Sequence, residues 1–265
     1  MKKTFIQGFL IIVLFLSTWV ILKEFDWMTV LRVQKVTDKT EEKLGELFWG
    51  IFQKSENVNT NPFVVSAVDS IVNKICSTNG LEEKSIKVHI VEKDEVNAFA
   101  LPNGHLMLYS GIILASGNQE ALSGVISHEI AHIQLNHVIK KLIKEVGLTV
   151  LISMSTGNGG SEILKETAKL LSSSAYDRSL EKEADIKAVE NLINAKINPE
   201  PFADFLYILS ENESTAMKYL SWANTHPDSG ERADYVIAYS RNKHAKYEPL
   251  LAAQTWEKLK ENLTE

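Results

Sequence analysis

The run Ser127-His128-Glu129-Ile130-Ala131-His132 restricts the fold more than any other part of this chain, because H-E-x-x-H is chemically useful only on a helix. There the two imidazoles sit one turn apart and can share a metal ion, with a carboxylate between them that reaches water held by the metal. From Gln119 to Lys144 the chain has no Pro and only Gly124 as glycine. Leu122, Val125, Ile126, Ile130, Ile133, Leu135, Val138, Ile139 and Leu142 recur through it as on a largely buried helix. The spacing therefore predicts one helix over Gln119–Lys144. At 3.6 residues per turn His128 and His132 lie about 40° apart and Glu129 about 100° from His128. His137 falls about 180° away and reads as a packing or surface histidine, not a ligand.

Catalytic zinc takes three protein ligands and keeps a position for water, so two histidines leave such a site incomplete. Downstream, Arg178-Ser179-Leu180-Glu181-Lys182-Glu183-Ala184-Asp185 offers Glu181 and Asp185 at i, i+4 on one helical face. That spacing lets one carboxylate bind metal while the other holds a ligand histidine. Glu183 faces nearly the other way. Taken alone, the segment reads as a solvated acidic helix face; paired with the upstream H-E-x-x-H, it reads as the source of the missing ligand.

Several blocks together resemble one family. They are Asn97-Ala98-Phe99-Ala100-Leu101-Pro102-Asn103-Gly104 followed by a strand and Gly111-Ile112-Ile113, then His128 to His132, then Glu181-x-Glu183-Ala184-Asp185, and late in the chain His226-Pro227 with Arg232. On these residues the chain resembles the gluzincin zinc metallopeptidases of HtpX, BepA and the CAAX prenyl endopeptidase, over about residues 60 to 240 and in a single-anchor, BepA-like form. Asn103 stands where the family often has Gly, which alters a hairpin turn and not the chemistry. The resemblance implies one Zn2+ per chain, Glu181 as third ligand and Asp185 behind a ligand histidine. It also implies that His226 approaches the metal from a loop. Pro227 keeps the His226 backbone extended, so its ring belongs to a loop and not to a helix face. There it can fill the fourth zinc position and silence the enzyme, or hydrogen-bond the developing oxyanion, with Arg232 fixing the loop; the bland alternative is a histidine that caps the next helix. In zinc peptidases of this kind an exposed strand beside the active-site helix pairs with extended substrate. Asn97, Ala98, Phe99, Ala100 and Leu101 are the candidates here, and a merely buried hairpin is the alternative.

The N-terminus carries a second signal. Lys2 and Lys3 precede an almost uncharged apolar run from Phe5 to Leu22, ending at Lys23 and Glu24. It is longer than a secretory h-region and no small-residue cleavage site follows. An uncleaved anchor over residues 1–25 is expected, with the catalytic part on the periplasmic or extracytoplasmic side; a cleaved signal and a secreted or periplasmic product is the alternative. Residues 26–59 read as a juxtamembrane amphipathic helical segment with Leu44, Leu47, Phe48, Ile51 and Phe52 at helical spacing, and residues 60–265 as the metallopeptidase domain. Leu148–Ile152 belongs to an apolar run too short to span a bilayer. The Gly157-Asn158-Gly159-Gly160 stretch after it lacks the phosphate-loop order and reads as a mobile loop near the site. No tetratricopeptide signature appears after residue 240.

A strand over Ile86–Val91 and a hairpin around Pro102–His105, set among many helical segments, predict an α+β fold: mostly helical, with a small sheet beside the active-site helix. His89 falls on the polar side of its strand and reads as incidental. Cys76 lies in the apolar pattern of Val68, Ile71, Val72 and Ile75 and reads as a buried helical thiol. The net charge of −6 gives no footprint for nucleic acid. The mechanism implied has zinc on His128, His132 and Glu181, with Glu129 moving the proton from water to the leaving amine. It makes the chain a membrane-anchored zinc metalloendopeptidase acting on proteins in extended conformation, suited to envelope quality control. The alternative is a non-catalytic membrane-anchored chaperone or adaptor that retains the zinc-binding fold.

Overall fold

The computed structural model describes residues 7–17, 38–82, 84–212, 221–241, 243 and 246–264. They fall in two units, Met1–Thr37 and Asp38–Glu265. In the first, residues 7–17 are helical and expose Phe9, Leu10, Ile11, Leu14 and Phe15. The expected anchor, Phe5 to Leu22, runs past this stretch at both ends, and its flanks lie outside the described residues, as do residues 26–37 of the amphipathic segment. Among the described residues no helix is long and apolar enough to cross a membrane.

The second unit opens with α1 (Asp38–Ser55), whose Leu44, Phe48 and Phe52 recur every fourth residue and are buried on one face. Phe52 packs on Phe99 at 5.3 Å between ring centroids, and Trp49 stacks on His89 at 3.6 Å. His89, incidental in the sequence, thus belongs to the contact that seats α1 on the sheet. Helix α2 (Pro62–Thr78) starts where the Asn61 side chain accepts from the Phe63 amide, with Pro62 in the first turn where its missing N–H costs nothing. Cys76 is buried on its inner face.

The sheet has three strands, β1 (Lys87–Val91), β2 (Ala98–Ala100) and β3 (His105–Tyr109), in the order β1-β3-β2. β1 runs parallel to β3 and β2 antiparallel to it, with Phe99 opposite Met107. The β2–β3 turn carries Asn103 and Gly104 at φ 61° and 72°, two successive left-handed residues of the kind an Asn-Gly pair allows.

A short helix α3 (Ser110–Ala115) leads to α4 (Gln119–Gln134), capped by the Asn118 side chain on the Ala121 amide. Here the structure corrects the sequence reading. The helix does not continue to Lys144 but stops after Gln134, and Asn136 takes a left-handed φ of 56° before α5 (His137–Val146) starts in a new direction. Asn tolerates this conformation better than most residues, and apolar periodicity alone does not reveal such a break. α6 (Leu148–Ser155) and α7 (Ser161–Ser173) follow. The Gly-rich stretch between them, read from sequence as a loop near the site, forms a turn joining two helices, with Gly159 packed on Met154. The chain continues through α8 (Arg178–Asn194), α9 (Glu200–Asn212), α10 (Ser221–Thr225), α11 (Ser229–Ser240) and α12 (Ala253–Thr264).

The result is a mostly helical α+β unit with its small sheet beside α4, which also packs against α8 and α9. Close approach explains the one glycine of α4. A Cβ on Gly124 would sit 2.3 Å from the Phe202 side chain, so only glycine admits that ring.

Candidate active site

Four elements converge on one buried cluster. α4 supplies His128, Glu129 and His132; α8 supplies Glu181 and Asp185; the bend between α10 and α11 supplies His226; and α11 supplies Arg232. Each of these side chains is at most 2% exposed. His128, His132, Glu181 and His226 each offer one ligand atom, all within 4.8 Å of one another. His128 Nε2 is 2.9 Å from His132 Nε2, and Glu181 is 3.6 Å from the first and 3.4 Å from the second. His226 Nδ1 lies 3.2 Å from His128 Nε2 and 3.0 Å from Glu181 Oε1. A tetrahedral ion with bonds of about 2.0–2.1 Å spaces its ligand atoms roughly 3.3–3.4 Å apart, so the donor set fits a small divalent metal. Glu129 Oε2 is buried with no hydrogen-bond partner among the described residues, as suits an oxygen kept for a ligand.

Around the cluster the side chains are fixed from behind. Asp185 Oδ1 is 2.8 Å from His128 Nδ1, which leaves Nε2 turned to the other donors. Arg232 grips both Asp185 oxygens at 2.8 and 2.9 Å, stands 3.0 Å from Glu181 Oε2, and donates to the His226 carbonyl at 2.9 Å. The Tyr235 hydroxyl adds a bond to Asp185 at 2.6 Å. Burial alone would raise the Asp185 carboxyl, but Arg232 and His128 outweigh it and hold it well below the usual range.

Glu129 is hemmed in. Its Oε1 accepts from the Trp222 indole at 2.9 Å and lies 3.3 Å from His226 Nε2. Burial again acts upward on the carboxyl, yet His226, His128 and His132 bring it down to about 2, so it is ionised. The carboxylates act oppositely on His226: burial disfavours its charge, and Glu181 and Glu129 raise it nonetheless. Burial lowers His132 to about 4.

The structure thus brings together His128, Glu129, His132, Glu181, Asp185, His226 and Arg232. It places Asn97 to Leu101 differently from an open edge. β2 is the outer strand of the sheet, yet all five residues are at most 2% exposed; α7 packs against the strand and the Asn97 amide donates to the Ser172 carbonyl at 3.3 Å. A cavity of about 470 Å³ between α1, α7 and α10 is lined by Lys93, Glu95, Tyr109, Lys169 and Thr225. None of the four candidate ligands lines it, although Thr225 precedes His226.

Several partners escaped the sequence reading. Tyr235 follows Arg232 by one helical turn, a spacing that could have flagged it. Trp222 lies four residues before His226 with no pattern to mark it. Tyr176 stacks on His132 at 4.0 Å and takes the buried Lys141 ammonium 4.1 Å over its ring. Burial lowers that lysine to about 8. His137, read as a bystander, is buried with Nδ1 3.1 Å from His132 Nδ1, and Glu183 reaches its far side at 3.3 Å.

Comparison with known proteins points the same way. The family model described as Peptidase family M48 matches residues 65–238. The chain is 28% identical over 188 residues to the mitochondrial metalloendopeptidase OMA1 of Bos taurus, covering 64% of this chain and 36% of that one. It is 23% identical over 221 residues to a putative beta-barrel assembly-enhancing protease of Vibrio cholerae, covering 79% and 45%. Against the mitochondrial metalloendopeptidase OMA1 of Schizosaccharomyces pombe it is 24% identical over 170 residues, covering 62% and 50%. The match therefore spans half or less of the length of each of these relatives.

Proposed function

Because the chain belongs to peptidase family M48, we propose that it is a zinc metalloendopeptidase, with His128, His132 and Glu181 holding the metal and Glu129 as general base. The carrying observation is the convergence of those three ligand atoms beside a buried, ionised Glu129 whose second oxygen lacks a partner. Zinc is favoured over iron because a carboxylate set between the two histidines has no role in iron oxygenase chemistry. When bound, zinc supplies a Lewis acid that activates water and polarises the scissile carbonyl.

The protein's own groups do the rest. Asp185 fixes His128 and is itself fixed by Arg232 and Tyr235. Glu129 takes the proton from the attacking water and returns it to the leaving amine as the C–N bond breaks. Trp222 orients Glu129 through its indole N–H. His226 stands among the ligands and against Glu129, an arrangement that supports its role as a silencing fourth ligand more than as an oxyanion donor. On this reading substrate must displace His226, and the buried β2 edge must be uncovered before an extended peptide can pair with it. Residues 1–25 act as the membrane anchor and the catalytic unit works on the extracytoplasmic side; the exposed apolar side chains of residues 7–17 support this. Clearance of misfolded envelope proteins is the biology that best fits backbone pairing with little sequence selection.

The test is casein hydrolysis by the full chain loaded with zinc. Activity lost with a chelator and restored by zinc is expected. Metal binding without cleavage, together with suppressed aggregation of an unfolded client, would favour the chaperone or adaptor reading instead.

A further inference from the structure

We propose that His137, oriented by Glu183, is a positioning residue for His132, fixing the tautomer in which His132 presents Nε2 to the metal. This rests on the metal reading above. His128 has its outward partner in Asp185, and a ligand histidine generally needs such a partner on its second nitrogen. The nitrogen of His132 that faces away from the cluster, Nδ1, meets His137 Nδ1 at 3.1 Å, and His137 Nε2 is 3.3 Å from Glu183 Oε2.

Donor and acceptor roles follow by elimination. An ionised carboxylate only accepts, so His137 Nε2 carries the proton shared with Glu183. A neutral imidazole then has one acceptor left, Nδ1, and the contact to His132 requires His132 Nδ1 to donate. That leaves the His132 Nε2 lone pair facing His128, Glu181 and His226. α8 therefore controls both histidines of α4: the first directly through Asp185, the second through Glu183 and His137.

The break between α4 and α5 makes this possible. On a continued helix His137 would lie about 140° round from His132 and could not reach its ring. The left-handed Asn136 turns the chain so that His137, at the first position of α5, folds back behind it.

The experiment measures zinc release from the full chain into excess chelator at fixed pH, with metal-free thermal unfolding as a check on folding. His137→Leu fills space without an acceptor, His137→Asn restores an acceptor near Nδ1, and Glu183→Ala removes the outer carboxylate from a half-exposed position. We expect release about 10–100-fold faster in His137→Leu, most of that loss recovered in His137→Asn, and release about two- to tenfold faster in Glu183→Ala. Equal acceleration in both His137 variants would reduce the residue to packing and overturn the proposal. So would wild-type release from His137→Leu; should that variant not fold, unchanged release from Glu183→Ala does the same. A wild-type chain that holds no zinc would overturn the metal reading, and this one with it; a wild type that holds zinc isolates failure to the His137 link.

Discussion

Replacing Arg232 with Met should destabilise the metal-free protein by about 3–5 kcal/mol at neutral pH, the range for removing one partner of a buried ion pair. Arg232 is 2% exposed and is in contact with two buried carboxylates, gripping Asp185 through two hydrogen bonds and standing 3.0 Å from Glu181. Methionine fills similar space but leaves Asp185 without its guanidinium and Glu181 with only the histidines beside it. In a domain of this size each kcal/mol corresponds to roughly 2–4 °C, so the unfolding midpoint should fall by about 6–20 °C. The pH dependence carries a sign. Burial acts upward on both carboxyls, yet Arg232 and then His128 hold Asp185 below the usual carboxylate range, and His226 and then Arg232 do the same for Glu181. Their contribution is therefore complete above the unfolded pKa of about 4 and lost as pH falls through the folded value. In the variant both carboxylates take up protons at higher pH, so the gap between wild type and variant should narrow from pH 7 towards about pH 4.5. Arg232→Lys should fall between, since an ammonium cannot fork across Asp185 and the His226 carbonyl together. Thermal and urea unfolding in the presence of chelator read the effect. A loss under about 1 kcal/mol at pH 7, or one unchanged down to pH 4.5, would refute the reasoning.

Gly124→Ala places a methyl 2.3 Å from Phe202 and should cost about 1–3 kcal/mol by overpacking, read as a lower denaturation midpoint; an unchanged midpoint would mean that α4 and α9 part freely. His226→Ala should raise basal casein hydrolysis if the ring silences the site, whereas a drop of about 10–1,000-fold would assign it to the oxyanion instead. For the N-terminal segment, the mature protein should keep residues 1–25 and resist carbonate extraction; an N-terminus near residue 24 on a soluble product would contradict the anchor.

Much of the site was legible because its residues repeat at helical spacing. His128 and His132, and likewise Glu181 and Asp185, each sit one turn apart on a helix the sequence announces. His226 and Arg232 were legible only as a resemblance, since nothing local says that a loop after a short helix returns to α4. Apolar periodicity runs through Asn136 without a mark, so the break in the helix and the turn of His137 towards His132 were hidden. Burial of Asn97 to Leu101 depends on α1, α4 and α7, the last separated from β2 by about sixty residues, and pattern along the chain carries no information about those contacts. Trp222 and Tyr176 belong to the same class: aromatic residues whose partners are set by packing between distant elements.

The most direct test of the account is Glu129→Gln, with zinc content and peptidase turnover measured on the same sample. Glu129 stands beside the ligand set but outside it, between Trp222 and His226. The account predicts near-stoichiometric zinc and a fall in turnover of at least about 100-fold, as expected from removing a general base. Undiminished hydrolysis by the zinc-loaded variant would contradict it.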